Sequence, residues 1–242
     1  MQLSLEFEAA PILPRLRAQL LTLFGPQTPT RRLDPLSQLI KAILNTRTFD
    51  AVAWATFQKL REACPDWDAL GDMTPLEIEA LIAPVTHADA KARQLPILIR
   101  VLRGRPRGLD LSFLAEHPVG EAMRWLRELP GVGPTVAAAT LNFSTLSMRA
   151  FVIDTHTHRV LRRLGVVGRK SDAAEAYEHI ASAIPAEWDA ADLYEFHWLL
   201  KGLGQDTCTA QLALCGRCPL KSLCPRVDVA VRAPVVTLFP KT

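Results

Sequence analysis

The chain has 242 residues, a formal net charge of +3 and 49% hydrophobic residues. That composition suits a folded protein of one or two domains with a sizeable core and excludes a disordered one. No apolar run approaches the roughly 20 residues of a membrane span, and the start, MQLSLEFEAAP, carries acidic residues with no basic start before an apolar stretch, so a cytoplasmic protein without membrane contact is expected.

Helical periodicity dominates. Leu36, Leu39, Ile40, Ile43 and Leu44 begin an apolar stripe, and Trp54, Phe57 and Leu60 continue the pattern. Ile78, Leu81 and Ile82 form another, then Leu95, Leu98, Ile99 and Leu102. Spacings of three and four recur and strand-like alternation is rare, which predicts an all-α fold of roughly eight to eleven helices. Pro65, Pro75, Pro84, Pro106, Pro118, Pro130 and Pro185 punctuate the stripes, and Asp66 and Ser171 stand where caps are expected.

Residues 126–137 read LRELPGVGPTVA and lead into a helix, AAATLNF. Gly131 and Gly133 flank a turn expected to need unusual backbone angles, and the helix start offers unpartnered amide groups to an anion such as phosphate. The plain alternative is an ordinary helix–helix turn. Residues 148–170 then carry six Lys/Arg against one acid, Asp154. Such a run reads either as a solvated helix face or as a patch for phosphates. Asp154 itself reads as a helix cap or as a chemical carboxylate.

Cys208, Cys215, Cys218 and Cys224 fall in a C-x6-C-x2-C-x5-C pattern. A cytosolic compartment disfavours disulfides, and thiolates this close can converge on one metal centre. Tetrahedral zinc competes with an iron–sulfur cluster, which is wider and accepts longer loops between ligands. Cys64 reads as a small buried residue.

LPGVG, then IDTHTHRV, HWLLKGLGQDTC and the four-cysteine signature together resemble the endonuclease III superfamily of DNA glycosylases, in order from about Leu36 to Cys224. The resemblance implies a two-domain helix-hairpin-helix fold. A six-helix barrel would span residues 28–146, a domain with a [4Fe–4S] cluster would combine 1–27 with 147–226, and 227–242 would be a tail. The active site would lie between the domains, where lesion- or mismatch-bearing double-stranded DNA is bent and a nucleotide flipped. The four cysteines match the cluster ligands and Asp154 matches the catalytic aspartate. The hairpin residues Leu129, Gly131, Val132 and Gly133 match DNA contacts, and Arg159, Arg217 and Lys221 are further candidates. The protein is expected to act as a monomer.

Four departures from the family pattern bear on function. Bifunctional relatives carry a lysine where this chain has Thr135, and a hydroxyl cannot form the imine needed for strand cleavage. A monofunctional glycosylase is therefore expected, built on a lone carboxylate with no amine beside it. The alternatives are a lesion-binding protein with little catalysis and a lyase using another lysine, such as Lys41 or Lys91. The adenine branch's glutamate is absent, since Lys41 and Ala42 occupy that region. In the gap-filling loops Arg47 replaces a glutamine and His87 a leucine. Arg47 could hydrogen-bond an orphaned base or pair with Asp50, and His87 could stack. The loop between the first two cysteines, Thr-Ala-Gln-Leu-Ala-Leu, lacks basic residues, so weaker DNA binding than in a typical relative is expected.

Overall fold

The computed structural model describes residues 9–229. The opening MQLSLEFE and most of the 227–242 tail lie outside them. The described residues form ten α-helices, three short 3-10 turns and no strand. The helices are α1 Ala9–Phe24, α2 Pro35–Asn45, α3 Asp50–Ala63, α4 Pro75–Ile82 and α5 Ala88–Arg103, followed by α6 Val119–Arg127, α7 Pro134–Phe143, α8 Thr155–Arg163, α9 Ala173–Ala183 and α10 Ala190–Asp206.

Local chemistry sets the ends. Asp34 caps α2 through Ser37 N at 2.9 Å, and Pro35 follows at the first helical position, where its fixed φ is favourable and its missing N–H costs nothing. Leu36, Leu39, Ile40, Ile43 and Leu44 are all buried, as the stripe predicts. Capping boxes open α4, α8, α9 and α10. Two expected caps fall elsewhere. Asp172, not Ser171, caps α9, while Ser171 turns back to Gly168 O. Asp66 accepts from Asp68 N in a turn that leads only into the 3-10 segment Ala69–Gly71.

Two hydrophobic cores fill the interior. The first gathers α2 to α7 and includes Leu39, Leu60, Ile78, Leu95, Leu126 and Leu141. The second joins α1 to α8, α9 and α10 through Leu13, Leu16, Leu20, Leu161, Ile180 and Phe196. The segment 148–153 runs between them. Met148, Ala150 and Val152 face the first core, while Phe151 and Ile153 face the second. Alternate side chains of an extended chain point to opposite sides, so this short stretch is buried on both faces. It delivers Asp154 to the start of α8 at the seam between the cores.

Candidate active site

A cavity of about 500 Å³ opens at that seam, a volume within the range of small-ligand sites. Its walls come from α2 (Gln38, Lys41), the turn 46–49, the start of α7 (Thr135), the start of α8 (Asp154, His156) and α10 (His197, Lys201, Gln205). On α10, His197, Lys201 and Gln205 recur every fourth residue, so one helical face meets the cavity.

Asp154 is both a cap and a cavity wall. Its Oδ1 accepts from His156 N at 2.9 Å and Thr157 N at 2.8 Å. Its Oδ2 faces Lys201 Nζ at 3.5 Å. Burial opposes ionisation, but neighbouring His197 and Lys201 and the Thr157 amide outweigh it and hold the carboxyl near pKa 2. Burial pushes His197 down to about 4; it is uncharged near neutrality, which leaves Lys201 and the amides as the working partners. Asp154 is therefore an anion at any physiological pH, too weak a base to take a proton from water unaided, but suited to stabilising positive charge.

The expectation of a carboxylate without a neighbouring amine is overturned. Lys201 Nζ lies 2.7 Å from Asp50 Oδ1 as well as 3.5 Å from Asp154 Oδ2, and its side chain is only 4% exposed. Asp50 also accepts from Asn45 Nδ2 at 3.1 Å and Gln205 Nε2 at 3.4 Å. Burial raises the Asp50 carboxyl, yet Lys201 and these amides lower it overall. Sequence reading missed this lysine because it is distant along the chain. The visible signal was its place one turn after His197 on the same helical stripe.

The other two candidate amines differ. Lys91 is 4% exposed and donates to Leu44 O and Thr46 O, both at 2.8 Å, and to Thr48 Oγ1 at 3.3 Å. Burial lowers its pKa to about 8, but it sits behind the 46–49 turn and holds that turn in place. Lys41 lines the cavity with its amine 5.6 Å from the Trp54 ring centroid; burial lowers its pKa, against the opposing charge of Asp50.

On the hairpin, Thr135 donates its hydroxyl to Ile153 O at 2.6 Å. Leu129 and Val132 are buried, 3% and 7% exposed, and their N–H groups bond Leu126 O and Leu129 O. Their side chains anchor the turn from beneath. Gly131 and Gly133 are the exposed pair. Only Gly131 has φ positive, at 77°, and an added Cβ there would lie 2.9 Å from Gln94 Oε1. Gly133 is extended and sterically open, and starts α7 with no side-chain cap, so the expectation of unusual angles holds at one glycine of the two.

Arg47 and His87 are exposed on adjoining turns, both with left-handed backbones at φ 56° and 57°. Thr86 N donates to Thr48 Oγ1 at 3.1 Å and ties the turns together. No carboxylate among the described residues pairs with Arg47. Arg159 is directed inward. Its Nε donates to Cys208 O at 2.9 Å and its Nη2 to Gly204 O at 2.6 Å, with His156 Nδ1 3.2 Å away. Arg217 and Lys221 are exposed, and Lys221 borders the cysteines.

Cys208, Cys215, Cys218 and Cys224 line one small cavity, and none is in a disulfide. Arg163 Nη1 donates to Cys208 Sγ at 3.2 Å and Arg226 N to Cys224 Sγ at 3.3 Å, contacts that favour sulfur carrying negative charge, while burial pushes the Cys218 and Cys224 thiols up overall. Among the described residues no three Cys, His, Asp or Glu side chains come close enough to hold one metal ion. Cys64 is apart from this group and buried, 3.2 Å from Met73 Sδ.

Residues 40–186 match the family model described as HhH-GPD superfamily base excision DNA repair protein. The chain is 28% identical over 188 residues to "Endonuclease III-like protein 1" of Gallus gallus, covering 77% of this chain and 62% of that one. It is 26% identical over 194 residues to "Endonuclease III" of Sulfolobus acidocaldarius, covering 77% and 79%. The fold superposes on an endonuclease III in a trapped covalent intermediate with DNA, with a TM-score of 0.74 at 22% identity over 90% of this chain and 96% of that one. It also superposes on a thermostable thymine-DNA glycosylase, with a TM-score of 0.69 at 19% identity over the same shares.

Proposed function

Because the chain belongs to the HhH-GPD superfamily of base excision DNA repair proteins, we propose that it is a monofunctional DNA N-glycosylase. It binds double-stranded DNA that carries a lesion or mismatch, flips one nucleotide into the seam cavity and releases its base. The reading is carried by Asp154, a fixed anion facing a cavity bordered by the first turn of the hairpin's second helix.

The chemistry follows from that placement. As the bond between C1′ and the base breaks, its electron pair leaves with the base and the sugar becomes electron-poor. A carboxylate already ionised and fixed by two amides stabilises that charge with no reorganisation. Water adds to C1′; its hydroxyl stays on the sugar and its proton goes to the released base. Thr135 offers no amine, Lys201 is committed to two carboxylates and the Lys41 amine lies over the Trp54 ring, so the abasic site is left intact.

The four free thiols suit a [4Fe–4S] cluster better than a single zinc ion, since a cluster takes ligands that are farther apart. When bound, it would hold the loop rigidly through Cys208, Cys215, Cys218 and Cys224, beside the exposed Arg217 and Lys221 that can meet phosphates. We place the protein as a monomer in the cytoplasm, on the nucleoid.

One observation favours a second reading, a lesion-binding protein with little catalysis. An ammonium 3.5 Å from Asp154 already neutralises part of its charge, and a neutralised carboxylate stabilises a cationic sugar less. Incubation with duplexes carrying oxidised pyrimidines, uracil or mismatches separates the readings. Strand breaks that appear only after alkali, and vanish in Asp154→Asn, support the glycosylase. Binding without product in both proteins supports the second reading, and breaks without alkali, trapped by borohydride, refute monofunctional chemistry.

A further inference from the structure

Phe49 is 82% exposed, although a phenylalanine ordinarily buries most of its ring. It is the residue before α3, it lines the mouth of the seam cavity, and no aromatic ring of the described residues packs on it. The exposure does not come from a loose loop. Three Lys91 hydrogen bonds hold the turn from behind, Thr86 N holds Thr48 Oγ1, and Asn45 Nδ2 holds Asp50 Oδ1. The buried lysine, 4% exposed, thus serves a turn whose outward product is one exposed ring and one guanidinium, Arg47, that meets no carboxylate among the described residues.

We propose that Phe49 is a base-stacking residue that inserts into duplex DNA beside the flipped nucleotide and occupies the space the nucleotide leaves. The inference rests on the glycosylase reading of the cavity. A base presents an unpaired π-face once its neighbour is extruded, and an aromatic ring fixed beside a basic side chain is the chemistry that receives it. Because the turn is already ordered, little side-chain or loop entropy is lost on contact. The ring, not Arg47 or His87, supplies the apolar surface, so those two residues are left to hydrogen-bond bases or phosphates.

The test compares binding of a duplex containing a tetrahydrofuran abasic-site analogue with the same duplex intact. Phe49→Ala should lower the preference for the abasic duplex by roughly five- to a hundredfold, the range for loss of one base–aromatic stack. It should leave the salt dependence unchanged, because no phosphate contact is removed. Phe49→Trp should retain the preference, and both variants should melt with the wild type since the ring is outside the core. An unchanged preference in Phe49→Ala, with normal wild-type binding, overturns the role of Phe49 alone. A changed salt slope also overturns it, because the turn rather than the ring would then be responsible. A wild-type protein that binds neither duplex overturns both this inference and the glycosylase reading.

Discussion

Replacing Lys201 by Met removes the charge that joins Asp50 to Asp154 and leaves two carboxylates facing one another at the seam. The gross attraction at 2.7 and 3.5 Å amounts to about 6 and 5 kcal/mol at an effective dielectric constant near 20. Most of that is offset by the cost of burying the ammonium. Losing one partner of a buried pair costs roughly 3–5 kcal/mol. The side chains of Asp50 and Asp154 are 35% and 19% exposed, so water relieves part of the exposed charge and the lower end, about 3 kcal/mol, is expected. The assay is urea unfolding at neutral pH of the wild type, Lys201→Met, Asp50→Asn and the double variant. The double variant should be less damaged than the sum of the singles, with a coupling near 2 kcal/mol. Singles that add to within about 0.5 kcal/mol would refute the reasoning, since independent sites behave that way. The cycle also bears on chemistry, because Lys201→Met frees Asp154 Oδ2 and should raise the Asp154 pKa from about 2.

Two further outcomes are expected. His197 in the native state takes up a proton only near pH 4, whereas in the unfolded chain it does so near 6.5. The unfolded state therefore binds more protons between those values. Stability should be full above pH 6.5 and fall by about 3 kcal/mol as pH drops through 4. His197→Gln should flatten that limb in urea titrations at successive pH values, and an unchanged limb would assign it to other groups. The purified protein should be yellow-brown with absorption near about 400 nm, and Cys215→Ser should lose both colour and resistance of the 208–224 loop to proteolysis. A colourless wild type holding zinc contradicts the cluster.

Much of the fold was legible because helical burial leaves a period in the sequence. The stripe of α2 is buried as the spacing of its leucines and isoleucines requires, and Asp154 could be read as both cap and anion because those roles share a position. What the sequence hid are contacts between distant residues. Lys201 meets Asp50 across 151 positions, and nothing in local pattern forecasts such a pairing. Leu129 and Val132 sit in a DNA-binding motif, yet the motif's apolar members are buried to support the turn while its glycines are exposed. Arg159 belongs to a basic run that reads as a phosphate patch, but its guanidinium meets carbonyl oxygens of the cysteine loop. Charge counting along a chain does not distinguish an arginine facing water from one satisfying a buried backbone.

The second core joins the first described helix to segments far later in the chain. Arg17 on α1 pairs with Asp192 at 2.7 Å and donates through Nε to Glu195 at 2.8 Å, 178 residues later. During synthesis at roughly 5–20 residues per second, the first helix emerges some ten seconds or more before the segment it must join. Leu13, Leu16 and Leu20 must wait with their apolar faces unmatched while the intervening helices complete the other core. Their final docking closes a very long loop, an entropic cost that grows only logarithmically with length but delays the step. A ribosome-stalled chain cut short before α10 should therefore carry a finished first half and a leading helix still open to chaperones.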